Sequence, residues 1–212
     1  MRIVISAGPT REAIDPVRFI TNRSTGKMGY AIAEAARDMG MDVVLVSGPV
    51  TIAPPENVKV IAVESAAEMA DAMRNAAKEA DMIVMTAAVA DYRPKVYSTS
   101  KIKKSDDDLV IELERTEDIL LSLGKNKQPG QVLVGFAAET DDLLKNAQSK
   151  LERKNLDFIA ANTVGVAGRG FAADDNAITL LGKNNFRKEL TLKNKKLIAR
   201  ELLEEILNKN CK

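Results

Sequence analysis

The chain has 212 residues, 45% of them hydrophobic, which is enough to bury one sizeable core and falls within the usual range of a single domain, here 1–212. Its 31 Lys and Arg nearly cancel its 30 Asp and Glu, so anion binding must come from local clusters, and nucleic acid is not indicated as a partner. There is no histidine and the only cysteine is Cys211, which excludes His-based metal sites, Ser-His-Asp triads and imidazole bases.

The N-terminus passes from Met1-Arg2-Ile3-Val4-Ile5 straight into a Gly-Pro loop, too short an apolar run for a signal peptide or a membrane span. A cytoplasmic protein is expected. Apolar, β-branched runs at 3–6, 43–46, 58–63, 82–86, 132–136 and 158–161 suit buried parallel strands. Helical patterns lie between them at 28–39, 66–79, 119–125 and 141–154. Ser65 with Glu68 reads as a capping box opening the second helix, and Thr116 and Thr140 are expected as the next two N-caps. After residue 162 come a Gly-rich loop, strands around 177–181 and 188–190, and a final helix bearing Ile198, Leu202, Leu203 and Ile206. The alternation predicts an α/β fold: a Rossmann-like, doubly wound, mainly parallel sheet flanked by helices, with additional strands in the C-terminal part.

Two long loops, 8–25 and 88 to about 108, follow the carboxyl ends of the first and fourth predicted strands, the edge at which open α/β sheets bind ligands. The first ends in small residues opening a helix, where backbone N–H groups and the positive end of the helix dipole favour phosphate, with Ser24 as a hydroxyl donor. Gly26 and Gly29 permit close approach of phosphate to backbone and of helix to strand. It is no P-loop, because Met28 follows Lys27 and Thr21 stands where the leading glycine belongs, nor does it match Gly-x-Gly-x-x-Gly. A helix that merely packs closely on the sheet gives the same pattern. Arg18 and Asn22, four apart and just upstream, are a cation and a carboxamide that can both face one anion.

In the second loop, Met85-Thr86-Ala87-Ala88-Val89-Ala90-Asp91 is followed by Lys101-Ile102-Lys103-Lys104. A base or ribose can lie against the alanines while a lysine reaches a phosphate, although a solvated edge explains the lysines equally. Tyr97 and Lys101 also match the Tyr-x-x-x-Lys pair of short-chain dehydrogenases, so an NAD(P)-dependent oxidoreductase is the alternative. Against it, Pro94 and Ser98-Thr99-Ser100 break any helix there, and the second strand ends Val46-Ser47-Gly48 without the acid that holds an adenosine ribose.

In chain order, Ser6-Ala7-Gly8-Pro9-Thr10-Arg11-Glu12, Asp15-Pro16-Val17-Arg18, Asn22-x-Ser24-x-Gly26-Lys27-Met28-Gly29, Val46-Ser47-Gly48-Pro49, Ala87-Ala88-Val89-Ala90-Asp91-Tyr92, Lys101-Ile102-Lys103-Lys104, Gly135-Phe136-Ala137-Ala138-Glu139-Thr140 and Lys154-Asn155-Leu156-Asp157 resemble the phosphopantothenoylcysteine synthetase family along nearly the whole chain. The resemblance implies a ligase of coenzyme A biosynthesis: 4′-phosphopantothenate attacks CTP, pyrophosphate leaves, and cysteine then displaces CMP from the acyl cytidylate. By it, Lys101 matches the lysine of the first half-reaction and Asn22 the asparagine that converts the acyl cytidylate. Gly8, Ser24, Gly26, Gly29, Met85, Thr86, Ala87, Asp91, Lys101, Asp118, Ile119, Leu120, Phe136, Lys150 and Lys154 match nucleotide contacts, and Arg18, Asn22, Ala88 and Asn162 substrate contacts. Where many bacterial members have Asn-Pro-Asp-Ile, this chain has Thr116-Glu117-Asp118-Ile119. The resemblance further implies CTP in place of ATP, Mg²⁺ held mainly through the phosphates with no protein ligand identifiable, and a homodimer sharing the strands after residue 176 and the loop after Asp91. Bacterial members are usually fused to a flavin-dependent decarboxylase, and the abrupt start on a strand makes an excised domain the expectation.

Overall fold

A computed structural model of the chain describes residues 1–104, 108–139, 143–163 and 173–210. In chain order the elements are β1 (Arg2–Ala7), β2 (Arg11–Ala13), β3 (Phe19–Thr21), α1 (Lys27–Asp38), β4 (Asp42–Ser47), β5 (Lys59–Ala62), α2 (Ala66–Ala77), β6 (Met82–Met85), β7 (Tyr92–Pro94) and β8 (Leu113–Arg115). They continue with α3 (Ile119–Lys125), β9 (Val132–Glu139), α4 (Leu143–Arg153), β10 (Phe158–Thr163), β11 (Asp175–Gly182), β12 (Phe186–Asn194) and α5 (Lys195–Asn210).

Eight strands form one sheet in the order β12-β11-β10-β9-β6-β1-β4-β5. The six from β10 to β5 are parallel, and β11 and β12 add antiparallel at one edge. The chain runs from β1 outward to β5, then returns to the other side of β1 at β6, so the direction of winding reverses between β1 and β6. Carboxyl-end loops diverge at such a point and leave a crevice. Alternation along β1 assembles both layers: Ile3 and Ile5 pack with Ile32 of α1 and Leu202 of α5, while Val4 packs with Met69 and Met73 of α2.

The predicted strands and helices all appear, and Ser65 caps α2 by accepting from Glu68 N–H at 3.2 Å. Its reciprocal partner is shifted: the Glu68 carboxylate accepts from Glu64 N–H at 2.7 Å. Thr116 does not cap α3. Asp118 does, accepting from Leu121 N–H at 3.0 Å, because the Thr116 hydroxyl is already donated to Ala90 O at 2.5 Å. The expected cap at Thr140, and Cys211, lie outside the described residues. The first long loop contains a short antiparallel ladder, β2 with β3, and the second runs on past its expected end into another, β7 with β8; both are largely exposed and hence without an apolar pattern to announce them.

At the opposite end of the sheet, Asp157 accepts from Lys127 Nζ at 2.8 Å, Lys183 Nζ at 2.7 Å and Leu133 N–H at 2.8 Å. Burial pushes its pKa up, but the two ammonium groups and the N–H outweigh burial and hold it below the ordinary value; Lys127 is itself pushed down by burial. Asp157→Ala would leave Lys127 and Leu133 N–H without this partner and is expected to cost about 2 kcal/mol. A depressed carboxylate contributes fully above its unfolded pKa of about 3.9 and loses its contribution as pH falls through the lower folded value. Urea unfolding at pH 7 and pH 3 should therefore show a wide gap between wild type and variant that narrows in acid.

Candidate active site

The loops after β1 and β6 are joined by the small polar residues of the first motif. Ser6 Oγ accepts from Ala87 N–H, Thr86 Oγ1 donates to Ser6 O, Thr10 N–H donates to Ala88 O, and Thr10 Oγ1 accepts from Ala90 N–H. Glu12, buried, reaches Ala66 N–H at 2.9 Å and so adds a carboxylate to the N-terminus of α2. Gly48 is required next to them: a Cβ there would stand 1.8 Å from the carbonyl oxygen of Pro9. The motif that opens the chain is thus chiefly a clamp holding two carboxyl-end loops together.

Above this clamp lies a cleft of about 310 Å³ at the winding reversal. One end is the N-terminus of α1, capped by Gly26 in the left-handed region (φ 77°) with no side-chain bond. Asn22 Oδ1 accepts from Ser24 N–H at 3.0 Å and Ser24 Oγ from Gly26 N–H at 3.4 Å, which curls the chain into the helix. Gly29 lets α1 lie directly on the sheet, since a Cβ would come within 2.5 Å of both Ala7 Cβ and Thr86 Oγ1. The other end is formed by Asp118 to Leu120 at the start of α3, Phe136 of β9 and Lys154. Lys154 Nζ pairs with Asp118 at 2.8 Å. Burial pushes the Asp118 carboxyl up, and Lys154 with Leu121 N–H brings it below the ordinary value.

Of the residues singled out in the sequence, Ser24, Gly26, Gly29, Met85, Thr86, Ala87, Ala88, Asp91, Asp118, Ile119, Leu120, Phe136, Lys154 and Asn162 line this one cleft. Asn22 is tied to its wall, Nδ2 donating to Ala88 O at 2.5 Å. Gly8 lies beneath it, turned (φ 78°) against Val50. Arg18 points elsewhere than Asn22: Nε and Nη2 bond Asp15, and Nη2 also donates to Ile102 O at 2.7 Å, while Ile102 N–H returns to Asp15 at 3.1 Å. The segment carrying Lys101 is thereby docked onto the first loop, with Lys101 exposed and outside the cleft lining. Lys150, on α4, is also outside it. Tyr97 and Lys101 are not on a helix, and Tyr97 is exposed and away from the cleft, which removes the geometry the oxidoreductase alternative requires.

Lys27, quoted only within its motif, and Thr116 and Glu117, where the chain departs from the family pattern, also line the cleft, whereas sequence reading missed Asn176 and Lys195. Asn176 and Lys195 come from the C-terminal hairpin and α5, whose position beside α1 depends on the fold and on no local spacing.

The chain matches the family described as DNA/pantothenate metabolism flavoprotein C-terminal domain over residues 1–209. It is 50% identical over 205 residues to the coenzyme A biosynthesis bifunctional protein CoaBC of Bacillus subtilis (strain 168), a match covering 96% of this chain and 50% of that protein. The chain spans about half the length of the CoaBC relatives it matches. Among solved structures it is similar to the C-terminal domain of a coenzyme A biosynthesis bifunctional protein CoaBC, with 47% identity, TM-score 0.83, and coverage of 97% of this chain and 93% of that one. It is likewise similar to the DNA/pantothenate metabolism flavoprotein from Streptococcus pneumoniae, with 27% identity, TM-score 0.84, and coverage of 98% and 99%. No helix among the described residues is long and apolar enough to cross a membrane. The ordered motifs, the doubly wound sheet and a match over 1–209 agree: the chain belongs to the DNA/pantothenate metabolism flavoprotein C-terminal domain family.

Proposed function

We propose that this chain is the phosphopantothenate–cysteine ligase of coenzyme A biosynthesis and uses CTP. The observation that carries this reading is the cleft itself, which sets a glycine-rich helix start beside the Met85–Asp91 loop, with the Asn22 carboxamide joining them. Coenzyme A biosynthesis in the names of relatives 42–50% identical supports it.

A carboxylate is a poor acyl donor, so amide formation needs a leaving group, which a phosphoanhydride supplies. The 4′-phosphopantothenate carboxylate attacks the α-phosphorus, pyrophosphate departs with the electron pair of the broken P–O bond, and the cysteine amine then displaces CMP from the acyl cytidylate. No nucleophilic side chain is required. Met85 to Ala87, Phe136 and Asp118 to Leu120 provide the wall for the nucleoside, with Lys154 and Lys150 on that side. Gly8, Ser24, Gly26 and Gly29 shape the phosphate turn, Asp91 contacts the nucleotide, and Ala88 and Asn162 face phosphopantothenate. Lys101 reaches the phosphates from its docked segment. Arg18 offers substrate the N–H groups of Nη1, its other side being taken by Asp15 and Ile102. Asn22 has two N–H bonds on Nδ2 and uses one on Ala88, leaving the second for the acyl cytidylate.

Among the described residues there is no group of three or more carboxylate, Cys or His side chains that would hold a metal, so Mg²⁺ is proposed to enter on the nucleotide phosphates and to neutralise their charge. A homodimer through the β7–β8 ladder and its connection is supported by apolar residues left in solvent there, Val96 at 77% and Val110 at 83% exposure. Leu192 is exposed on β12 as well, but that strand is otherwise largely polar on its outer side. A cytoplasmic setting and fusion to a flavin-dependent decarboxylase belong to the same reading; the relatives named bifunctional are about twice this length. The test is pyrophosphate release with Mg²⁺, phosphopantothenate and cysteine in CTP against ATP. CTP-dependent release is expected, and equal or greater release with ATP would contradict the nucleotide assignment.

A further inference from the structure

Asp91 lies where the loop after β6 meets β7, and the backbone on both sides of it is held by one residue, Thr116. Thr116 Oγ1 donates to Ala90 O at 2.5 Å. Thr116 N–H donates to Asp91 O at 3.0 Å, one rung beyond the Tyr92–Arg115 pair of the β7–β8 ladder. These two carbonyls belong to the peptide planes that flank the Asp91 Cα, and with both planes fixed the φ and ψ of Asp91 are fixed too. The direction in which its side chain leaves the backbone follows. Ala90 is gripped from the other side as well, its N–H donating to Thr10 Oγ1 at 3.0 Å. Asp91 itself is exposed and lines the cleft.

Thr116 is braced in turn by the residues that follow it. Glu117 takes Nη1 of Arg74 on α2 with both carboxylate oxygens at 2.6 Å, and Asp118 caps α3 and pairs with Lys154 at 2.8 Å. Three consecutive side chains thus bond three different parts of the molecule, the loop after β6, α2 and the α3 end of the cleft, and all three line the cleft. A valine has nearly the shape of threonine but no donor, so at position 116 it would release Ala90 O and leave the anchors at Glu117 and Asp118 in place.

Resting on the ligase reading above, we infer that Thr116 is a positioning residue for the nucleotide: its hydroxyl and its N–H fix the two peptide planes that aim Asp91 into the cleft. Thr116 acts through Asp91 and touches no reacting atom. Asp91 holds the nucleotide alike before and during the reaction, so a misaimed carboxylate weakens nucleotide binding and leaves the chemical step alone.

The probe is CTP with Mg²⁺, titrated calorimetrically into the whole chain. Thr116→Val is expected to weaken binding about 10-fold, and Thr116→Ser, which keeps the donor, to restore it. In the pyrophosphate assay Thr116→Val should raise KM for CTP by a similar factor, with kcat within about 2-fold of wild type. A cycle with Asp91→Ala separates aiming from general loosening of the site. In the Asp91→Ala background Thr116→Val should cost less than about 2-fold more, because its effect passes through the missing carboxylate. Should Thr116→Val fail to fold, Thr116→Ala takes its place in the same cycle. Wild-type affinity for CTP in the folded variant, or a further loss of about 10-fold on top of Asp91→Ala, would overturn the inference while leaving the ligase intact. Hydroxyl-dependent CTP binding in a protein that releases no pyrophosphate would instead remove the ligase reading and keep Thr116 as the residue that aims Asp91.

Discussion

Asn22→Asp is expected to consume CTP once per site and then stall, accumulating acyl cytidylate with steady-state turnover reduced about 100-fold or more, the scale on which a lost oxyanion donor acts. The geometry explains why so small a change is severe. The Asn22 NH₂ donates to Ala88 O and its Oδ1 accepts from Ser24 N–H, so one carboxamide joins the turn that opens α1 to the wall of the cleft. A carboxylate keeps the acceptor role toward Ser24 but has no donor for Ala88 or for an acyl oxygen, and it places negative charge against a carbonyl. Rapid quench with labelled CTP should show a burst near one equivalent followed by little CMP. Wild-type turnover in this variant would remove Asn22 from the second step.

Lys101→Gln should act earlier, lowering the pyrophosphate burst itself about 100-fold, because the neutral amide cannot offset charge on the reacting phosphates. Lys101 sits on a segment whose placement depends on Asp15 and Arg18 through both backbone groups of Ile102. Arg18 holds the Asp15 carboxyl far below the ordinary carboxylate range, with N–H groups of Val17, Ile102 and Arg18 assisting against burial. Asp15 therefore stays ionised throughout the neutral range, and docking of this segment should not vary between pH 5 and pH 9. Asp15→Asn is expected to reduce the burst in the same direction as Lys101→Gln but less, since it loosens the lysine's mooring and keeps its charge. An undiminished burst in Lys101→Gln would take Lys101 out of the chemistry.

Much of the fold is legible in the chain because a doubly wound sheet writes itself in apolar runs. The stretch Ile3 to Ile5 must be buried on both faces, and in the structure its residues divide between two cores. The Ser65 cap is equally local, two bonds set within four residues. Thr116 illustrates the limit, since its hydroxyl answers to Ala90, 26 residues away, and an Asp two positions on takes the cap. The two short ladders β2–β3 and β7–β8 escape notice for a related reason: they bury too little to impose a period on the sequence.

The site divides in the same manner. Residues Ser24 to Gly29 and Met85 to Asp91 are contiguous runs at strand ends, readable as loops that bind. Arg18 is only partly legible from spacing, because its four-residue separation from Asn22 says nothing of Asp15, which takes Nε and Nη2 of its guanidinium. Lys195 carries no local signature at all. It enters the cleft because β11 and β12 extend the sheet and return α5 against α1, a consequence of topology that the chain order of motifs does not reveal.

The central claim is that this cleft activates a carboxylate by nucleotidyl transfer, and the half-reaction without cysteine tests it most directly. Mixing the protein with Mg²⁺, CTP and 4′-phosphopantothenate alone should release close to one pyrophosphate per site and leave an acyl cytidylate that cysteine discharges as CMP. Pyrophosphate release that needs cysteine, or that proceeds equally without phosphopantothenate, would contradict it.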